Sequence, residues 1–519
     1  MGTARTRYIY VHTYVLLRAG ACRPREKFCA PGLAVQVLLR AGCRKKKNTT
    51  SRNQTKTSRS PTSRRMDSEE DEDSGAVGVE YRDDTPLPLD EKCLHGTLSN
   101  GLTYYIQDNK KPEARAELRL VVRIGSVYEE DDEQGLAHLV EHLAFRGTKL
   151  YDTFEVVKYL ESVGAKFGAC QNAYTSYDET VYEQHVPIDR PELLTKSLTV
   201  LKEWAYYVRC SDDDIEAERP VIYEEWRQRR SAAGRADEDY LQTLMGGSRY
   251  ATRLPIGKMD VIQHAKPAIA RGFYQKWYHP RRMAIMCVGD FAAHAGGAEN
   301  VLAQVKAIFD LEPPHPWREA PAPPFVADPQ MNISIFTDTE ATAASVSVDC
   351  KRPRQPMHDH KDYRRSITEN LFVEALSSRL YKLAVSPDPP FYNASVAISF
   401  PTSTTETVNL GVSVEEGREL SALECALNEI ARVRLLGFGG QEVERAKANL
   451  LTDLEADMAE REQMESESFC SAFVEHFVRD EPAMGVEYQV QLCRAILDQI
   501  TPDDLAAVAG VANVFLMCC

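Results

Sequence analysis

Between residues 135 and 147 the chain reads GLAHLVEHLAFRG. His138 and His142 are four residues apart, and Glu141 directly precedes the second histidine. On an α-helix, spacings of three and four bring side chains to one face. The three polar groups therefore project together, and Leu139, Val140 and Leu143 are left to bury. Gly135 and Gly147 are natural stops for such a helix. Two imidazoles on successive turns can reach one Zn²⁺ at about 2.0–2.1 Å each. The carboxylate beside them can hold a water against the metal. This is the inverted HxxEH order rather than HExxH. The motif alone is only moderately specific, because a single histidine on a helix face is usually a satisfied core or surface residue. A catalytic zinc also needs a third protein ligand and one open position. The stretch DDDIEAERPVIYEEWRQRR, residues 212–230, offers Glu216, Glu218, Glu224 and Glu225 for it. Glu218 and Glu225 are seven apart and share a helix face, but spacing does not choose between Glu224 and Glu225.

These residues need a frame, and the chain supplies one from residue 87 onward. Leu118, Leu120, Val122 and Ile124 alternate with Arg119, Val121 and Arg123, which predicts a strand. A helix is expected over 153–163. The Tyr-, Thr- and Val-rich stretch 164–186 reads as strand, turn, strand. Leu193, Leu194, Leu198, Leu201 and Trp204 recur at helical spacing over 191–208, and AIMCVGDF, 284–291, is a buried-type strand. Seven prolines between 313 and 329 predict a semi-rigid linker over 312–329. Beyond it come strand patterns at 332–337, 344–350, 394–400 and 407–414, and helix patterns at 362–384, 420–436 and 441–477. The expected fold is α+β, with two similar domains in tandem, 87–311 and 330–519. His358, His360 and His476 of the second domain lie in no HxxEH, so a metal is expected only in the first.

The 519 residues carry a net charge of −15. Residues 1–65 hold sixteen Lys/Arg against one acid, Glu26, which leaves about −30 on the remainder. A strongly acidic body argues against nucleic acid as the main partner. Thirteen cysteines without a CxxC argue against a disulfide framework or a zinc ribbon. No apolar run approaches the ~20 residues of a membrane-spanning helix, so no membrane partner is expected. Residues 1–86, basic and then acidic, are expected to be a disordered tail. The Arg-, Ser- and Thr-rich part resembles a transit peptide, which would lead to a mitochondrion or chloroplast; without it the cytoplasm is expected. The rival reading is a dispensable segment, since VLLRAG occurs at both 15–20 and 37–42 and Met66 opens a new composition.

Several motifs in one order carry a family resemblance: HLVEH, then KFGACQNAYTSYDETVYE (166–183), ERPVIYEEWR (218–227), GSRYATRLPIG (247–257) and EHFVRDEPAMGVEYQ (475–489). The chain resembles the pitrilysin and insulin-degrading-enzyme family of inverted-motif zinc peptidases, in its PqqL-like branch, and covers only the first half of such a protein. The resemblance implies two α/β-sandwich domains of metallopeptidase type, the second non-catalytic, and a zinc metalloendopeptidase acting on peptides or unfolded segments. It implies one Zn²⁺ per chain on His138, His142 and Glu225, with Glu141 as general base and Glu218 as an outer carboxylate that orients a ligand. Asn172 falls on the strand that resembles the family's substrate-docking edge. Tyr250 and Arg253 stand as candidates for substrate binding or for support just behind it. Pro220, where the family usually has glycine, puts the common facing of Glu218 and Glu225 in question. The length keeps two alternatives open: a non-catalytic structural or substrate-presenting subunit, and a zinc-binding half that needs a second copy or a complementary half to close.

Overall fold

The computed structural model describes residues 6–14 and 79–511, apart from 166, 167, 169, 329 and 330. Its strands are β1 (Thr6–Tyr14), β2 (Cys93–Thr97), β3 (Thr103–Asp108), β4 (Arg115–Val122), β5 (Gln171–Thr175), β6 (Thr180–Pro187), β7 (Met283–Gly289), β8 (Asn332–Asp338), β9 (Ala344–Pro353), β10 (Asn393–Thr402) and β11 (Thr405–Val414). They form two sheets, with orders β2-β3-β7-β4-β6-β5 and β10-β11-β9-β1-β8. Helices cover both, and the architecture is α+β in two tandem domains.

In the first domain the alternation of β4 sets the layers. Leu118, Leu120 and Val122 enter the main core with Leu139, Val140, Leu143, Leu198, Leu201 and Trp204. The opposite face of this sheet is not left to solvent. Tyr105, Val121, Val181, Ala284, Met286 and Val288 pack against Cys470, Phe473, Val474 and Phe477, which belong to the second domain's helix Ser466–Arg479. That cover explains why Glu117 and Arg119 are buried, and they pair at 3.0 Å. The exchange runs in both directions. The first domain's helix Ala232–Leu244 lies against the second sheet, where Tyr240 donates to Asp349 at 2.9 Å and Lys351 donates to the Leu244 carbonyl at 2.7 Å.

Two expectations change. The single helix over 441–477 is two, Gly440–Glu460 and Ser466–Arg479, separated by a short 3₁₀ turn and extended backbone at Met464 and Glu465. The break is held from the first domain: Asn109 donates to the Met464 carbonyl at 2.9 Å, and Ser466 N–H donates to that of Lys111 at 2.9 Å. It turns the second helix back across the first sheet. Most of the tail expected to be disordered lies outside the described residues, but Thr6–Tyr14 forms β1, antiparallel to β8 and parallel to β9. TRYIYVHTY is rich in aromatic and β-branched residues, a local preference that an average over a basic segment hides. Residues 79–86 are also structured against the second domain, with Pro86 bridged to Asp359 and Tyr81 stacked on His360 at 5.8 Å. His360 and His476 are satisfied by tyrosine hydroxyls, Tyr488 and Tyr105, at 2.8 Å each. Of the proline-rich segment, residues 312–328 contain no helix or strand.

Candidate metal centre

The motif helix spans Leu136–Arg146, with Gly135 before it at φ 101° and Gly147 after it. A left-handed residue at the helix start favours glycine, and a Cβ there would collide with Ile262. Helix starts leave unpaired amides. Here the buried Glu129 carboxylate takes two of them, from Gly135 and Ala137, at 2.8 Å each. Arg253 donates to the Glu129 carbonyl at 2.8 Å, and Arg249 donates to the same oxygen. At the other end, Trp204, fully buried, donates from its indole to the Ala144 carbonyl at 2.8 Å.

Opposite the motif helix runs Asp212–Gln228, capped by the Ser211 hydroxyl on the Asp214 amide. It continues through Pro220, which is exposed, so the ring's disruption falls on the solvent side. Glu218 and Glu225 keep a common face, and both turn toward the motif helix. Glu225 Oε2 is 3.4 Å from His138 Nε2 and 3.6 Å from His142 Nε2, and the two imidazole nitrogens are 3.2 Å apart. Donors about 2.0–2.2 Å from a tetrahedral zinc stand about 3.3–3.6 Å from one another. The triangle has the right size for three ligands of one such ion. His138, Glu141 and His142 also form a cluster whose ligating atoms lie within 4.8 Å of one another.

The surroundings tune each group. Burial, helped by the neighbouring His142, pushes His138 down to about 4, so it is neutral and has a lone pair to give. Burial opposes the charge on His142, but hydrogen bonds to Glu218 and Glu225 outweigh it and push the imidazole up to about 9. The bond to His142 holds Glu225 at about 2. Without a metal, a proton on His142 thus offsets part of the charge of the two carboxylates; a divalent cation between the three donors would replace it. Glu218 Oε2 lies 3.3 Å from His142 Nδ1, and Arg146 donates to Oε1 at 3.0 Å. Glu141 is buried, which pushes its carboxyl up to about 7. Its Oε2 accepts from the Thr175 hydroxyl at 2.7 Å, and this leaves Oε1 for a proton.

Of the other expected site residues, one is exposed and two are buried. Asn172 lies exposed on β5, the end strand of its sheet, in register with Glu183 of β6. Tyr250 and Arg253 do not face an open site. Tyr250 is 1% exposed, packs with Val127, Leu244 and Met245, and donates to Asp178 at 2.7 Å. Arg253 is 7% exposed and ties down the segment before the motif helix through Glu129 and Asp131. Both are conditioned by tertiary packing that no local pattern reveals. Glu224 turns away and pairs with Arg227. Four residues escaped sequence reasoning: Thr175, Glu129, Arg146 and Arg229. Arg229 donates to Glu225 Oε1 at 2.5 Å. The signal for Arg229 and Arg146 was their i+4 spacing from Glu225 and His142. Thr175 and Glu129 had none.

The fold and the site define a class, and sequence comparison agrees. The pattern of the insulinase domain of peptidase family M16 matches residues 104–248, and that of the M16 inactive domain matches 267–450. The chain belongs to the M16, or insulinase, family of peptidases. It is 39% identical over 417 residues to a protein of Arabidopsis thaliana named zinc protease PQQL-like, covering 79% of this chain and 40% of that one. To the probable zinc protease PqqL of Escherichia coli it is 29% identical over 421 residues, covering 81% and 45%. The crystal structure of the first half of the periplasmic protease PqqL from Escherichia coli superposes with a TM-score of 0.76 at 28% identity, covering 82% of this chain and 90% of that one. The chain spans less than half the length of these two relatives.

Proposed function

We propose that this chain is the catalytic half of a zinc metalloendopeptidase that hydrolyses peptides or unfolded segments. The observation that carries the reading is the triangle of His138 Nε2, His142 Nε2 and Glu225 Oε2, with a buried, elevated carboxylate next to it. One zinc per chain on these three residues would supply an acidified water and a Lewis acid for the scissile carbonyl. Glu141 takes the water's proton on Oε1 and later delivers it to the leaving nitrogen. Thr175 holds the other oxygen, so the carboxylate cannot rotate freely. Glu218, anchored by Arg146, keeps the proton of His142 on Nδ1 and its Nε2 lone pair toward the metal. A peptide adds to the free side of β5 near Asn172 through main-chain hydrogen bonds.

A second reading rests on length: a half that binds zinc but needs a second copy or a complementary half to close over substrate. One experiment separates the two. Purified chain is assayed for bound zinc, sized in solution and incubated with a peptide library, with and without a chelator. Cleavage that the chelator abolishes, with about one zinc per chain lost in His138→Ala, supports the peptidase. A zinc-loaded monomer inert on every peptide supports the incomplete half. Substoichiometric zinc unchanged by His138→Ala refutes both.

A further inference from the structure

Glu141 accepts from the Thr175 hydroxyl, and the turn that follows Thr175 is held by the other domain. Thr175 ends β5, and Thr180 opens β6. Between them Ser176–Glu179 form a tight turn, closed by the Ser176 N–H on the Glu179 carbonyl at 2.8 Å. One side of the turn rests on the first domain. Gly125 lies so close that a Cβ would fall 2.3 Å from the Ser176 carbonyl oxygen. The Ser126 and Val127 amides donate to the carbonyls of Ser176 and Tyr177 at 3.1 and 3.0 Å.

The turn's two acids, Asp178 and Glu179, are 5% and 2% exposed, and each is met from the second domain. Asp178 Oδ2 accepts from the Ser403 amide, and Oδ1 from its hydroxyl, at 2.9 Å each. Ser403 lies in the connection between β10 and β11. Glu179 Oε1 accepts from Arg479, the last residue of Ser466–Arg479, at 2.9 Å, while Oε2 is buried without a partner among the described residues. A buried carboxylate needs such a cation to stay charged. Two separate elements of the second domain therefore grip one four-residue turn, and the residue before that turn touches the general base.

Resting on the reading of Glu141 as that base, we propose that Arg479 and Ser403 are positioning residues for catalysis. Through Glu179 and Asp178 they clamp the turn that fixes the Thr175 hydroxyl on Glu141. The domain without a motif of its own thus sets the geometry of the one that has it. Releasing the clamp loosens Thr175 and lowers turnover, and it leaves the zinc ligands, which lie on two other helices, in place.

The test compares wild type, Arg479→Ala, Arg479→Lys and Asp178→Asn in the full chain. Hydrogen exchange is followed in segments 171–187 and 136–146, with zinc content and peptide turnover measured beside it. Arg479→Ala is expected to speed exchange in 171–187 at least tenfold, leave 136–146 and zinc unchanged, and lower kcat at least fivefold with KM within twofold. Arg479→Lys should recover most of both effects. In a double-mutant cycle, Thr175→Val should add little to Arg479→Ala, because both act on one contact. Unchanged exchange in 171–187, or losses in kcat that simply add, overturn the proposal. If Arg479→Ala does not fold, Asp178→Asn carries the same readings. A wild-type chain without turnover would count against the peptidase reading alone, since the exchange arm needs no activity.

Discussion

Replacing Glu218 by glutamine tests the outer carboxylate with almost no change of shape. The carboxylate has two jobs, accepting from Arg146 at 3.0 Å on Oε1 and facing His142 Nδ1 at 3.3 Å on Oε2. An amide offers one oxygen and one NH₂. The oxygen goes to the guanidinium, which has only donors, and the NH₂ then faces His142. An NH₂ donating to Nδ1 favours the tautomer with its proton on Nε2, the nitrogen that points at Glu225 and His138. Zinc must then displace the wrong proton and lose its oriented ligand. Outer partners of ligand histidines typically contribute about 10–100-fold in metal affinity. Because the substitution also inverts the tautomer, the upper part of that range is expected, about 30–100-fold or roughly 2–2.8 kcal/mol. The assay is zinc competition against a chromophoric chelator at neutral pH, with urea unfolding of the metal-free proteins as control. Glu218→Gln with unchanged metal-free stability and zinc affinity within twofold of wild type would refute this reasoning.

Glu141→Gln should keep its zinc and lose cleavage by about 10²–10⁴-fold, the usual contribution of a general base; normal turnover in a zinc competition-matched sample would give Glu141 another role. The base must be ionised to work, and burial pushes Glu141 up to about 7. Protonation as pH falls removes activity, and the metal's charge pulls the midpoint down. The pH profile of kcat/KM should therefore show an acid limb at or below 7; a limb above 7 would contradict it. Phe473, 1% exposed, anchors the helix Ser466–Arg479 on the first sheet. Phe473→Ala should cost about 3–5 kcal/mol in urea unfolding, and a loss under 1 kcal/mol would mean that the two domains barely depend on this contact.

Much of the site was legible in the chain because helices are periodic. His138, Glu141 and His142 share a face by spacing alone, and Gly135 and Gly147 do bound their helix. The strand β4, the helix carrying Trp204 and the paired strands β5 and β6 follow from alternation and from helical recurrence of apolar residues. Local rules ran out where two elements meet. Glu224 and Glu225 are about 100° apart on one helix. Only docking of that helix on the motif helix turns Glu225 inward and leaves Glu224 to Arg227.

The same physics divides the rest. Residue types and their intervals were enough to specify a motif helix, a set of candidate carboxylates and two α+β halves, because those depend on backbone geometry within a few turns. Which carboxylate reaches the histidines, why the chain bends at Met464, and why Tyr250 and Arg253 are buried depend on surfaces far apart in the chain. Their contact energies come from long-range packing, and Ser403 and Arg479 reach Asp178 and Glu179 across more than two hundred residues. Only folding brings them together.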